Sequence, residues 1–295
     1  MEKEKILRIL SEPAAPTEAK KVSMGQKARA FIVRDFKIYW TYRFWVLFDI
    51  IDVVILVATY YFVAQIISPA RLIAEGYSTG DYFTFAMLGI AFSQYVQNSV
   101  HGLTEGVRDE QWTGTIETIL SSSTDYKSYL LGASGFRFLY GTIILIGALA
   151  LGFLMGGKVI LTPATFLTGI VFAALLVSGH LAIGAMSAGI VMMIKRGDPI
   201  AMGFTWLTQL VSGVFYPLGL LPWYLKWLGF ALPLTYSLDG LRRTFMNGET
   251  LLDSSTIQID LVALLVFLVV MVPLSLRVFA WAYRRAQKQG TLGQY

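Results

Sequence analysis

Long hydrophobic runs separated by short polar segments make up most of this 295-residue chain. An apolar helix needs about 20 residues to cross a hydrocarbon core about 30 Å thick. In lipid, every backbone polar group must be satisfied within its own segment, so such runs form helices. The pattern therefore predicts an all-α integral membrane protein with six transmembrane helices. These spans are expected over residues 44–67, 82–100, 130–156, 166–194, 200–215 and 257–283.

The polar segments outside the spans give the rest of the organisation. Residues 1–20 are polar and contain prolines, which is typical of a mobile tail, here a cytoplasmic one. Residues 21–43 predict an amphipathic interface helix, which either anchors the chain or contacts a cytoplasmic partner. Residues 44–285 form the six-helix domain, and 286–295 form a second cytoplasmic tail. The apolar face of the interface helix would contain Ala28, Ile32, Phe36 and Tyr39.

The composition agrees with a membrane protein and excludes several classes of function. Hydrophobic residues make up 55% of the chain and charged residues 15%, with a mean hydropathy of +0.59, which is too apolar for a soluble domain. The absence of cysteine excludes disulfides, a thiol nucleophile and a cysteine metal site. His101 and His180 alone do not form a metal cluster, and no catalytic constellation is visible. We expect neither a metal site nor a nucleic-acid partner.

The positive charges are distributed unevenly along the predicted spans. Of the 24 lysines and arginines, 19 fall on the side that carries both termini. Because cytoplasmic loops carry an excess of these residues, both ends are expected in the cytoplasm. We expect a multi-pass protein of the cell membrane, either a plasma or an inner membrane. The opposite side receives only Arg71, Lys158, Lys226, Arg242 and Arg243.

Residues 217–247 are apolar enough to suggest a seventh span, but three prolines interrupt them. A seventh crossing would also place the basic C-terminal residues outside. We interpret this segment as an extracellular re-entrant hairpin, which a membrane tolerates only when the backbone is buried in protein. Its residues typical of a membrane interface are Trp223, Tyr224, Lys226 and Trp227.

The loop at residues 105–125 is the most informative soluble segment. Its spacing predicts a short helix that ends at a serine-rich stretch, where Thr124 or Asp125 can cap the third span. Such a helix has too little apolar area to fold alone. It therefore packs either on the inner ends of its own spans or on another protein. Its apolar face would contain Trp112, Ile116, Ile119 and Leu120.

Two motifs resemble those of type-2 ABC transporter permeases, the membrane-spanning subunits of ATP-binding-cassette exporters. The sequence RDE at 108–110 followed by GTIETIL at 114–120 is similar to that family's R-E and G-T-L-E-x-L pattern. A second set, SGVFYPL, LPW, LPLTY and LRR, resembles its C-terminal signature. These four segments occupy residues 212–218, 221–223, 232–236 and 241–243.

The resemblance implies a partner and roles for several segments. The loop at 105–125 resembles the coupling helix that contacts a separate ATPase, and the interface helix resembles the connecting helix. Since no G-x-x-x-x-G-K-S/T phosphate loop is present, this chain itself would be no enzyme and hold no cofactor, with ATP and magnesium on the partner. The implied partners are two ATPase copies, a second permease copy (identical or a sister) and membrane lipids. The coupling residues would be Arg108, Asp109, Glu110, Gly114, Thr115 and Glu117, and the outer gate would contain Phe215, Tyr216, Pro217, Pro222 and Pro233.

Polar residues inside the spans are candidates for a substrate pathway. Asp49 and Asp52 lie one turn apart in the first span, where they either pair with Arg137 or Arg43 or form a cation-attracting or protonatable lining. In the second span a polar stripe follows one helical face, serving either interhelical hydrogen bonding or the pathway. The stripe contains Gln94, Gln97, Asn98, His101 and Glu105, and a milder polar face of the fifth span contains Thr205, Thr208, Gln209 and Ser212.

We therefore expect the permease subunit of an ATP-driven exporter that moves a drug-like or lipid-like amphiphile out of the cytoplasm or inner leaflet. A multidrug substrate range fits the apolar spans with few fixed charges. Export of a polysaccharide or glycolipid is the close alternative. An ion-coupled secondary transporter is a further one, favoured only by Asp49 and Asp52, and no inverted repeat supports it.

Overall fold

The computed structural model describes residues 22–121, 126–194 and 199–288 of the chain. The predicted tail at 1–20, most of the tail at 286–295 and the capping residues Thr124 and Asp125 lie outside these ranges. Within them the chain is helical without β-strands, which confirms the all-α prediction at this level. The helices are α1 (Met24–Thr41), α2 (Arg43–Ala64), α3 (Ala70–Ala74), α4 (Tyr82–Trp112), α5 (Thr115–Ser121), α6 (Tyr126–Leu154), α7 (Pro163–Ile194), α8 (Pro199–Val211), α9 (Trp223–Phe230), α10 (Pro233–Arg242) and α11 (Ser255–Lys288), with a 3₁₀ turn at Leu218–Leu220 and a π-helical turn at Arg243–Asn247.

Four of the described helices are long and apolar enough to cross a membrane. They are the segments Arg43–Ala64, Lys127–Leu154, Pro163–Met193 and Ser255–Lys288. The predicted second span lies in α4, which has 31 residues but carries the polar stripe. The predicted fifth span lies in α8, which has 13 residues; at 1.5 Å per residue it is only about 20 Å long. The six-span count therefore stays a prediction.

Helix α4 lies at the centre of the bundle, in contact with α2, α6, α7, α8 and α10. Its side chains Phe85, Val100 and Val107 are fully buried. Small residues allow α7 to approach its neighbours closely, as is usual between helices in membranes. A Cβ atom added at Gly184 would lie 3.0 Å from the carbonyl oxygen of Val100, and one added at Gly189 would lie 2.9 Å from Cα of Phe279.

Helix α1 lies against α6. A capping box begins it, because Gln26 N donates to Ser23 Oγ while Ser23 N donates to Gln26 Oε1. Gly132 and Gly135 of α6 leave room for Phe31 and Ile32. The predicted apolar face is divided: Ala28, Ile32 and Tyr39 are half-buried, whereas Phe36 is 53% exposed and stacks on Trp40. The helix therefore has apolar side chains both toward the bundle and away from it.

Helix α2 is the least buried of the long helices. Val57 is its one buried residue among those described, although its sequence is strongly apolar. Phe44, Phe48 and Phe62 are each at least 60% exposed. A helix of this composition needs lipid or another protein around most of its surface.

The segment between α8 and α11 forms two short helices, α9 and α10, with 8 and 10 residues. Helix α8 ends where Gly213 adopts a positive φ of 75°, which a residue with a side chain rarely does. Pro222 precedes α9, and Pro233 occupies the first turn of α10, where a missing N–H is harmless. The prolines thus divide the apolar segment into pieces too short to cross a bilayer.

Candidate functional site

A cleft of about 830 Å³, including its open mouth, lies between α2, α4 and α6. Four of the residues predicted to line a pathway meet there, Asp49, Asp52, Gln94 and Asn98. Helix α2 supplies the carboxylates and α4 supplies the amides, so helix packing alone brings them together. The remaining lining residues are Val53, Leu56, Val57, Tyr60, Phe83, Met87, Ile90, Ala91, Tyr95, Tyr140, Gly141, Ile144, Leu145 and Ala148.

Two tyrosine hydroxyls hold the carboxylate of Asp49. Tyr39 from α1 and Tyr140 from α6 both donate to Oδ2 of Asp49, and the two hydroxyl oxygens also lie beside each other. Burial, together with the hydrogen bond to Asp49, raises the pKa of Tyr39 to about 12, so this hydroxyl keeps its proton at neutral pH. The partners found for Asp49 are therefore phenols, in place of the arginines that the sequence suggested. Asp52 is exposed at the cleft.

The polar stripe of α4 divides between the cleft and the packing of helices. Gln94 and Asn98 face the cleft, whereas the side-chain amide of Gln97 lies 3.5 Å from Ser93 Oγ on its own helix. His101 Nε2 lies 3.0 Å from Oγ1 of Thr205. That contact joins α4 to α8, and the structure places Thr205 there and not among the residues of the cleft.

On α8, the predicted pathway residue Gln209 is partly buried and does not line the cleft, and Thr208 is buried. No group of three or more His, Cys, Asp or Glu side chains that could hold a metal occurs within the described ranges. His180 is buried and makes a hydrogen bond with the backbone of its own helix, at Leu176 O. The two histidines therefore serve helix packing.

The segment at residues 105–121 consists of the end of α4, a turn and the short helix α5. The turn is made by Thr113 and Gly114, and Gly114 has a φ of 71°. Trp112 therefore ends α4 and does not share a helical face with Ile116, so that prediction was wrong. Ile116 is fully buried against the bundle's own helices, whereas Trp112 is 73% exposed. Of the two alternatives for this apolar face, the chain's own helices cover Ile116.

Glu110 connects this segment to α1. Its carboxylate accepts from Thr115 Oγ1, at the start of α5, and lies 2.6 Å from Nη1 of Arg34. Arg34 also lies 2.7 Å from Asp35. Burial lowers the pKa of Arg34, but the two acids raise it more, and its net shift is upward. The guanidinium therefore stays charged between them.

Among the other predicted coupling residues, Arg108 is partly buried, Asp109 is exposed and Thr115 is exposed. Gln111 was not singled out by the sequence, yet it is buried and donates to the carbonyl oxygen of Met192 at the end of α7, at 3.3 Å. The side chain of Glu117 lies outside the described part of the structure.

Arg242 is the buried cation that the sequence pattern missed. It is 2% exposed, and its guanidinium donates to three backbone carbonyls, Phe85 at 3.1 Å, Gly213 at 2.7 Å and Val214 at 2.8 Å. Its Cζ also lies 3.4 Å from the centre of the Phe85 ring, a cation–π contact. One side chain thus joins α10, α4 and the turn after α8. The pair Arg242 and Arg243 in an apolar, proline-rich segment was the available signal.

The predicted gate residues lie around this arginine and the turn after α8. Tyr82 donates to the carbonyl oxygen of Phe215 at 2.9 Å, and the Phe215 ring stacks on Tyr60 of the cleft. Tyr216 donates to Leu210 O, Pro217 and Pro233 are buried, and Pro222 is exposed. The gate segment and the cleft therefore share a wall through Tyr60.

A carboxylate network joins the loop before α4 to α10. Asp239 accepts from the hydroxyl of Tyr77 at 2.9 Å and from Arg243 Nε at 2.7 Å. Burial raises the pKa of Tyr77, and the charge of Asp239 adds to this effect. Asn247 donates to the carbonyl oxygen of Gly76 at 2.9 Å. The loop before α4 is thereby tied to the end of the helical pair.

The sequence model of the ABC-2 type transporter family matches residues 26–246, which is most of the chain and includes the cleft, the segment 105–121 and the helices α9 and α10. No curated protein matches the chain.

Proposed function

The chain belongs to the ABC-2 type transporter family, and from this premise we propose that it exports an amphipathic substrate with energy from a separate ATPase. Membership makes it a membrane permease subunit of an ABC transporter, a family whose members work with an ATPase subunit. The family is a transport family, and the chemistry of ATP hydrolysis belongs to that other subunit.

We assign the chain six spans with both termini in the cytoplasm, and a re-entrant hairpin outside. The uneven distribution of lysine and arginine supports this orientation. The lengths of α9 and α10 support the hairpin, as do Trp223 and Trp227, which are each more than 70% exposed and suit the membrane interface. The fifth span then consists of α8 together with the turn that follows it.

The inner segment at 105–121 is assigned the contact with the ATPase. It is anchored on the bundle, because Ile116 is buried and the Gln111 side chain donates a hydrogen bond to α7. Its exposed side includes Trp112 and Thr118. A displacement of this segment would be transmitted to α1 through the ion pair of Glu110 with Arg34, and to α7 through the hydrogen bond of Gln111. The proposed complex contains two ATPase copies and a second permease copy, which would cover part of the exposed surface of α2.

The observation that carries the substrate assignment is the cleft between α2, α4 and α6. Its walls are mostly aliphatic and aromatic, with two carboxylates and two amides, and a site of this kind binds amphiphilic molecules. A polysaccharide would need a longer row of polar partners, so a drug-like or lipid-like amphiphile fits better. The gate residues Phe215 and Tyr216 would control release to the outside.

Site-directed cross-linking tests the contact with the ATPase, and the absence of cysteine makes single-cysteine variants unambiguous. Thr118→Cys should cross-link to an ATPase with a phosphate loop when membranes are treated with a bifunctional thiol reagent. Leu252→Cys is the matched control, since it is 88% exposed and assigned to the outside. It should instead react with an impermeant thiol reagent in intact cells. Cross-linking of the ATPase to Leu252→Cys and not to Thr118→Cys would reject the assignment.

A further inference from the structure

We propose that the cleft between α2, α4 and α6 is selective for organic cations with an aromatic or aliphatic body. The inference rests on the proposed function and names the substrate class of the same site. Three features of the cleft support it together: its open shape, its negative charge and its aromatic side chains.

The charge of the lining has one sign. The cleft contains the carboxylates of Asp49 and Asp52, and its described lining includes no lysine, arginine or histidine. The nearest basic side chain of α6, Arg137, lies one turn before Tyr140, with its aliphatic part against Gly102 and its guanidinium 6.0 Å from the Phe136 ring. An anionic group entering the cleft would therefore meet repulsion, and a cationic group would be attracted.

The two carboxylates have different surroundings. The hydroxyls of Tyr39 and Tyr140 both donate to Oδ2 of Asp49, so hydrogen-bond donors of the protein already satisfy part of this carboxylate. Asp52 is exposed at the cleft, one turn further along α2. A carboxylate at membrane depth is unfavourable unless it is paired or solvated. A cationic substrate would supply that pairing while it occupies the cleft.

The remaining lining suits an organic cation and not a metal ion. Tyr60, Phe83 and Tyr95 present aromatic rings, which attract cations over their faces. A hard metal ion would require about six or more oxygen ligands, whereas most of the wall here is carbon. Met87 adds a flexible, polarizable side chain that adapts to different shapes.

The cleft is open to its surroundings and also contacts the gate segment. Its volume of about 830 Å³ includes this open mouth. The ring of Tyr60 also stacks on Phe215, so a molecule that displaces Tyr60 in the cleft would also displace the gate residue Phe215. The cleft could therefore select a cation and pass it on toward the outer hairpin.

Two ions of the same shape and opposite charge test this inference, tetraphenylphosphonium and tetraphenylborate. Their equilibrium binding is measured on the full-length chain in lipid nanodiscs, with empty nanodiscs as the background. The cation should bind saturably and the anion at least about tenfold more weakly, a difference of about 1.4 kcal/mol. Asp52→Asn and Asp49→Asn should each weaken binding of the cation by about tenfold or more. Asp253→Asn, in an exposed outer loop, should leave it unchanged.

Equal binding of the two ions by the wild-type chain would overturn the inference. Unchanged binding of the cation by the Asp49→Asn, Asp52→Asn double variant would do so as well. Thermal unfolding of each variant separates lost binding from lost folding, and Asp52→Asn is the more informative variant because its carboxylate is exposed. None of these measurements uses ATP, so the proposed ATP-driven export can fail while the cation site stands, and the reverse also holds.

Discussion

Nη1 of Arg34 lies 2.6 Å from Oε1 of Glu110, so an ion pair joins α1 to the C-terminal end of α4. The same carboxylate accepts from Thr115 at the start of α5. One and a half turns further along α1, Tyr39 donates to Asp49 in the cleft. Helix α1 thus contacts both the segment assigned to the ATPase and the site assigned to the substrate, which makes it a physical connection between them.

The first prediction concerns this ion pair. Arg34→Gln and Glu110→Gln should each lower the amount of substrate moved per ATP hydrolysed, because each loosens the same contact. The double variant should couple ATP hydrolysis to transport about as poorly as the more severely impaired single variant. The interaction free energy between the two substitutions should be about 0.5–3 kcal/mol, as for contacting residues. Arg29→Gln, exposed on the same helix, is the control and should behave as wild type. Simple additivity of the two effects would show that the residues act independently.

The second prediction concerns the turn between α4 and α5. Proline cannot adopt the positive φ of 71° at Gly114, so Gly114→Pro should displace α5 and uncouple ATP hydrolysis from transport while the long helices stay folded. Glu117→Arg, which reverses the charge on α5, should have the same effect. Parallel assays of hydrolysis and transport measure it, with circular dichroism as the test of folding. Normal coupling in both variants would remove this segment from the mechanism.

The third prediction concerns Arg242. Arg242→Met leaves the buried carbonyls of Gly213 and Val214 without this donor, and each such loss is unfavourable by about 1–3 kcal/mol. The carbonyl of Phe85 stays within helix α4. The free energy of unfolding should therefore fall by at least about 2 kcal/mol. Arg243→Gln, which removes a partly exposed ion pair with Asp239, should have an effect of about 1 kcal/mol or less. Unfolding in detergent, followed by tryptophan fluorescence, measures both, and equal effects would argue against the buried hydrogen bonds.

The fourth prediction separates the two parts of the polar stripe on α4. Asn98→Leu should change substrate preference with near-normal expression, since Asn98 lines the cleft. Gln97→Leu should leave preference unchanged and change stability by about 1 kcal/mol or less, because its amide makes only a 3.5 Å contact with Ser93 on its own helix. Transport of a panel of amphiphiles, with a thermal melt of each variant, distinguishes them. A reversed pattern would place the pathway on the other side of α4.

Much of the architecture could be predicted from the hydrophobic pattern, because run length and proline position depend on local sequence. The resemblance to type-2 ABC permeases is confirmed by the family match, since it rests on short motifs in the right order. The break after Trp112 was missed because an apolar spacing of 112, 116 and 119 looks continuous, while a single glycine, Gly114, turns the chain.

The site itself could be predicted only in part. Asp49, Asp52, Gln94 and Asn98 stand out as polar residues in apolar helices, and the cleft brings them together. Their partners could not be predicted, because Tyr39 and Tyr140 are 101 positions apart and only helix packing makes them neighbours. The three carbonyls that hold Arg242 are backbone groups, which carry no sequence signal at all.

Transport by purified components tests the central claim most directly. Proteoliposomes would contain this chain with its partner ATPase, and uptake of an amphiphilic fluorescent cation would be followed with and without ATP and magnesium. Uptake should require both proteins and ATP, and it should be abolished when the phosphate-loop lysine of the ATPase is replaced. Uptake by this chain alone, driven by a proton or sodium gradient and indifferent to the ATPase, would contradict it.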